Sequence, residues 1–163
     1  MANKTIVTAP EGKQELSIIP EFDAPRELVF KAFTDPEIVV KFLGPARFTM
    51  TIEKWDMRTG GSYRYLNSDS NGNSFGFHGS IHEVLYPERI IQTFEFEGLP
   101  ESGHVSLDFM RLEALPGNRT KVVMHSILPS VADRDGMLMS GMESGMNEGF
   151  ERLDKLFSQN LVR

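Results

Sequence analysis

Histidines, carboxylates and phenols at short spacing are where this sequence could do chemistry. His78 and His82 stand four residues apart. On a helix that spacing would place two metal ligands on one face. Here the neighbours alternate, Phe75, Phe77, Gly79 and Ile81 against Gly76, His78, Ser80 and His82, which is strand periodicity. Four residues of strand span about 13 Å, too far for one ion. His104 falls at a loop edge and His125 on the polar side of a strand, so no metal site is expected. The chain has no cysteine, which removes thiolate ligands, disulfides and a cysteine nucleophile. No serine sits in a nucleophile elbow. Gly60-Gly61 lacks the strand-to-helix setting of a phosphate-cradling loop, and no cofactor is expected. Acid–base chemistry remains. Glu53 shares a strand face with Trp55, and Tyr63 and Tyr65 share a face of the next strand. A carboxyl or phenol aimed into an apolar cavity has its charged form disfavoured and can hold or move a proton. Glu53 and Tyr65 are therefore the candidate catalytic residues, set against plainer roles as an exposed carboxylate and a core ring.

The elements that would position such a site follow from the apolar pattern. In the C-terminal stretch Val131 to Gln159, Met139, Met142, Met146, Phe150, Leu153 and Phe157 recur at three- and four-residue steps, one apolar stripe on a long helix. Beside it Gly141, Gly145 and Gly149 are each four apart. Three mid-helix glycines cost about 3 kcal/mol against alanine, so close packing against a sheet, or a cavity, must offset them. Upstream, Pro25 and Pro36 each begin a short helix, the second capped by Asp35. From Arg47 to Leu128 the pattern is period two, broken by turns at 56–61, 67–73, 86–89, 98–103 and 115–118. Pro87 is read as the second residue of a type I turn. Residues 4–8 form a short first strand, and Glu15 to Phe22 alternates poorly. The expectation is one α+β domain over residues 1–163. A curved antiparallel sheet of about six to seven strands wraps around a long C-terminal helix, with two short helices after the first strand. This is the helix-grip arrangement, and the space between sheet and helix is the natural pocket. Its walls are expected from Phe42, Trp55, Tyr63, Tyr65, Phe77, Phe94, Phe96, Phe109, Met124, Met142, Met146 and Phe150. The competing reading of each is an ordinary core residue.

Composition narrows the partners. With 163 residues, 40% hydrophobic and 25% charged, the chain supports one ordinary core. The net charge of −6 without a basic run opposes nucleic acid and anionic membranes. No stretch is apolar for the eighteen or so residues a membrane span needs, and the N-terminus has no signal-like apolar core. A cytoplasmic protein is the expectation. An exposed edge strand offers a route to a homodimer.

The segments FDAPRELVFKAFTDPE, KFLGP, EKWDMRTGGSYRY, FGFHGSIHEVLYPERI and SGMESGMNEGFERLDKL resemble the activator of heat-shock-protein-ninety ATPase homologue family, within the START-like (SRPBCC) superfamily. The likeness runs from about Gln14 to Phe157, with Phe42-Leu43 where family members often carry tryptophan. It implies the helix-grip fold. The superfamily holds lipid carriers, hormone receptors, cyclases and oxygenase subunits, so the resemblance specifies function less than fold. It also implies a chaperone partner.

The leading expectation is binding of a small hydrophobic or amphipathic molecule between sheet and helix. The alternatives are a cyclase- or lyase-type enzyme using the same cavity and a chaperone-linked interaction module acting through its surface.

Overall fold

The computed structural model describes residues 5–163. Position 4, expected to open the first strand, and the residues before it lie outside the described residues. Eight strands form one antiparallel sheet: β1 (Thr5–Thr8), β2 (Glu15–Phe22), β3 (Thr49–Trp55), β4 (Ser62–Ser68), β5 (Ser74–Leu85), β6 (Arg89–Phe96), β7 (Ser106–Leu115) and β8 (Arg119–Ile127). Their order is β1-β2-β8-β7-β6-β5-β4-β3, a meander from β3 to β8 with the β1–β2 hairpin added against β8. The helices are α1 (Arg26–Thr34), α2 (Pro36–Val39), α3 (Val131–Met139) and α4 (Met142–Ser158). No described helix is long and apolar enough to cross a membrane.

One strand more than expected comes from residues 15–22. Leu16, Ile18, Pro20 and Phe22 are all buried and alternate with more accessible residues, so the strand is regular in three dimensions. Pro20 obscures this in the sequence because it donates nothing to a ladder. The structure accommodates it between the β1–β2 pairing Thr5↔Pro20 and a local gap in the β2–β8 pairing between Ile18 and Glu21.

The short helices start as their prolines require. Asp35 caps α2 by accepting from the Glu37 amide at 2.9 Å, and Pro36 is its first residue. α1 and α2 close one end of the sheet. Trp55 Nε1 donates to the Thr34 carbonyl at 2.7 Å, and Thr120 Oγ1 donates to the Ala24 carbonyl at 2.7 Å. The turn after β5 differs from the type I expectation. The Glu88 amide donates to the Leu85 carbonyl at 2.8 Å and the Tyr86–Pro87 peptide is cis, which places proline third in a type VI turn.

The single long C-terminal helix is corrected to two. Gly141 adopts φ 82°, ψ 15° as N-cap of α4, and this left-handed residue ends the hydrogen-bond ladder of α3. Met139 is consequently 86% exposed and leaves the apolar stripe. The remaining stripe packs as expected: Phe150 and Leu153 are buried, and the Phe22 ring meets Phe150 at 5.6 Å and Phe157 at 6.0 Å, both edge-on.

The other two glycines of the stripe face the chain segment after α2 rather than the sheet. A Cβ on Gly145 would meet Pro45 Cγ at 2.9 Å, and one on Gly149 would meet the Phe42 carbonyl oxygen at 2.5 Å. Arg152 donates to the carbonyls of Phe42 and Gly44, and Glu148 accepts from the Ala46 amide at 2.7 Å. This segment is what seats α4. Gly136, in α3, has nothing within 4 Å of an added Cβ. Gly136→Ala should therefore raise stability by about 0.4–1 kcal/mol through unfolded-state entropy, read as a small rise in thermal midpoint.

Candidate functional site

Strand register assigns every inward-facing side chain of the sheet. Ile90↔Met110 and Met110↔Met124 place Met110 and Met124 on the face that β6 presents with Ile90. The same phase carries Gln92↔Asp108, Asp108↔Ser126, Phe94↔Ser106 and Leu112↔Val122. On the other side, Tyr65↔Phe77 and Phe77↔Phe96 continue the face through β4 and β5. This concave face is not uniform. Leu16, Ile18, Phe22, Ile81, Ile90, Leu112 and Val122 are fully buried. Phe77, Gln92, Phe94, Phe96, Asp108, Met110, Met124 and Ser126 are only partly buried although they point inward. Met142 and Met146, on the first turns of α4, are partly buried as well. An accessible patch therefore lies across the middle of the concave face, beside a packed zone around Phe22, Phe150 and Leu153.

Aromatic rings form a row along this face. Tyr63 and Tyr65 stack at 6.2 Å, Tyr65 and Phe77 at 5.1 Å, and Phe77 and Phe94 at 5.6 Å. Gly79 makes the row possible. A Cβ there would strike the Tyr63 ring and the Thr93 carbonyl, so only glycine lets the ring cross β5 and donate from Oη to that carbonyl at 2.6 Å. Burial pushes both tyrosine hydroxyls upward, with smaller contributions from Asp108 in each case and from Tyr65 for Tyr63. Both hydroxyls are therefore neutral at physiological pH.

Asp108 is the site residue that sequence reasoning missed. Its carboxyl is deeply enclosed, and burial raises its pKa against the opposing pull of the Ser126 and Ser106 hydroxyls. Oδ1 has no hydrogen-bond partner among the described residues. Such an orphaned buried oxygen costs about 1–3 kcal/mol, and a natural fold retains one where it serves a purpose. The arrangement can offer one polar anchor to an otherwise apolar molecule.

The structure separates the sequence-predicted residues. Tyr65, Phe77, Phe94, Phe96 and Met124 gather on or beside the patch, with Tyr63 behind it, and Met142 and Met146 lie partly buried against the core from α4. Phe42 and Phe150 belong to the packed zone, where Phe42 meets Phe33 edge-on at 5.3 Å. Trp55 closes the α1 end through its bond to Thr34. Phe109 is corrected to the convex face. It pairs with Ile91 and lies over His125, at 6.2 Å between ring centroids, because β7 runs in the opposite phase to that expected. Glu53 is likewise corrected. It is 46% exposed and pairs with Arg64, in a surface network with Glu97, His78 and Glu95, so it has no access to the concave face. Leu112 carried the signal for β7: in phase with Asp108 and Met110, it sits between the charged Arg111 and Glu113.

A shallow depression of about 380 Å3 lies elsewhere, between α1, Tyr86 and Arg163. It holds none of the sequence-predicted site residues. Among the described residues no group of three histidines or carboxylates is placed to hold a metal ion.

Comparison with known proteins agrees with this architecture. The family model described as Activator of Hsp90 ATPase homolog 1-like protein matches residues 23–158. A search of curated proteins gave no significant match. Among solved structures, a Rhodobacter sphaeroides protein superposes with a TM-score of 0.84 at 22% identity, covering 94% of this chain and 98% of its own. An Arthrobacter aurescens protein gives 0.84 at 25% identity, covering 94% and 91%. The AHSA1 protein of Silicibacter pomeroyi gives 0.73 at 17% identity, covering 90% and 99%.

Proposed function

The chain belongs to the Activator of Hsp90 ATPase homolog 1-like family, and from that premise we propose that it binds a small amphipathic molecule between the concave sheet face and α4. The carrying observation is the accessible patch of inward-facing residues with the Asp108 carboxyl, whose Oδ1 lacks a partner, in its midst. The ligand's apolar body lies against Phe77, Phe94, Met110, Met124, Met142 and Met146. Methionines suit this role because their unbranched, polarisable side chains adapt to irregular shapes. The polar part of the ligand meets Asp108. The packed zone around Phe22, Phe150 and Leu153 supplies stability, which frees the patch from that duty.

Native mass spectrometry of freshly purified protein, compared with the same sample denatured, tests the proposal. The expected result is a non-covalent adduct of a small organic molecule that is lost on denaturation. Met146→Trp fills the patch from the helix side and should abolish the adduct while the melting transition stays cooperative. Undiminished adduct in Met146→Trp would place the ligand elsewhere. Charge reversal of exposed α4 residues such as Glu143 and Glu151 should leave the adduct unchanged, whereas a surface interaction module would respond to it.

A further inference from the structure

Asp108 and its surroundings specify more than the presence of a polar anchor. Across β7 its neighbours on the same face are Gln92 on β6 and Ser126 on β8, and beyond Ser126 lies Leu16 on β2. All three are uncharged. The arginines of the covering helices are engaged away from it. Arg134 donates to the Pro10 carbonyl and pairs with Asp135, and Arg152 donates to the carbonyls of Phe42 and Gly44. The carboxyl thus stands in an apolar site with hydroxyl and amide neighbours and, among the described residues, with no cation set against it.

We propose that the ligand is an amphipathic amine, whose ammonium group pairs with Asp108 while its apolar body lies along the methionines and rings of the concave face. The inference rests on the binding reading given above. A buried carboxylate with one oxygen lacking a partner gains most from an opposite charge that also donates hydrogen bonds, and an ammonium does both. Its remaining N–H groups meet the acceptors that flank Asp108, the hydroxyl of Ser126 and the side-chain carbonyl of Gln92. The ring row beginning at Tyr65 and running through Phe77 and Phe94 adds aromatic faces, which favour a cation at short range. An alcohol would satisfy Oδ1 without compensating its charge. A carboxylate would place like charges together in a poorly solvated site, within a chain already at −6.

Matched probes test this. Octylamine, 1-octanol and octanoate carry the same apolar chain and differ in the head group. Each is titrated into the full chain near neutral pH by isothermal calorimetry. Octylamine should bind more tightly than octanol by at least about tenfold, and octanoate should bind least. In Asp108→Asn, which keeps the side-chain volume, octylamine should fall to the level of octanol while octanol binding persists. That persistence shows that the variant remains folded. Octanol or octanoate binding as tightly as octylamine would overturn the amine assignment and leave the binding site standing. An amine preference that survives Asp108→Asn would equally overturn it, since it would arise from the surface charge of the protein. Failure of all three probes to bind would overturn the assignment together with the binding reading.

Discussion

Gly149→Ala should lower the stability of the fold by about 1–3 kcal/mol, the usual cost of forcing an added group into a packed contact. In a chain of this size each kcal/mol corresponds to roughly 2–4 °C of thermal midpoint. The direction is informative because alanine is the better helix former by about 1 kcal/mol. Propensity alone predicts stabilisation. The new methyl would meet the Phe42 carbonyl oxygen at 2.5 Å, and that oxygen belongs to backbone that also accepts from Arg152. A flexible side chain could step aside; a carbonyl held by a guanidinium does so only by moving the whole Phe42–Pro45 segment. Thermal unfolding followed by circular dichroism reads the effect against Gly136→Ala, which should move the opposite way. A stabilised Gly149→Ala would mean that α4 is not seated on that segment, and the placement of Met142 and Met146 would fall with it.

Asp108→Asn should raise stability near neutral pH, because an amide carries no charge for burial to disfavour. Core polar substitutions ordinarily do the reverse. The pH dependence follows from the raised pKa of Asp108. Below the unfolded value, about 3.9, the side chain is protonated in both states and its titration costs the fold nothing. As pH rises past that value the unfolded chain releases the proton while the folded chain retains it, so stability falls until pH passes the raised folded value. The advantage of the asparagine variant should therefore be small near pH 4, widen with rising pH and then level off. Tyr63 and Tyr65, also on this face, stay neutral across that range because burial raises both. Melting curves of both proteins across this range check it. A destabilised variant would make Asp108 a structural hydrogen-bonding residue. Stability gained as binding is lost is the trade expected where a fold keeps a costly group for function.

Much of the architecture was legible because it rests on local rules. Asp35-Pro36 wrote its own cap, the period-two run from Arg47 onward gave the meander, and the three- and four-residue steps of Met142, Met146, Phe150 and Leu153 gave the buried face of α4. What was not legible depends on tertiary partners. Gly141, Gly145 and Gly149 are indistinguishable by spacing, yet one breaks the helix, one faces a proline ring and one faces a carbonyl. The site suffered most from strand phase. Val105, just before β7, and Leu107 and Phe109 within it share one apolar phase, so simple alternation turns them inward and Asp108 outward. Pairing of Met110 with Ile90 and Met124 fixes the opposite phase. A shift of one residue exchanges every side chain between faces. It removed Phe109 from the expected wall and put Asp108 there. Tyr65 and Phe77 fall on the concave face as expected because their strands read cleanly. Glu53 was misplaced because the register shift between Ile52 and Lys54 lets Trp55 turn inward without it.

Methionine-methyl NMR during titration with octylamine is the most direct test of the central claim, that the accessible concave face beneath α4 is the binding site. Met110 and Met124 lie on the patch and Met142 and Met146 are the α4 residues proposed to cover it, while Met139 is exposed on α3 and serves as internal control. The account predicts saturable shifts of the Met110, Met124, Met142 and Met146 methyl signals, with Met139 unmoved. Saturable shifts confined to Met139, or none at those four methyls, would contradict it.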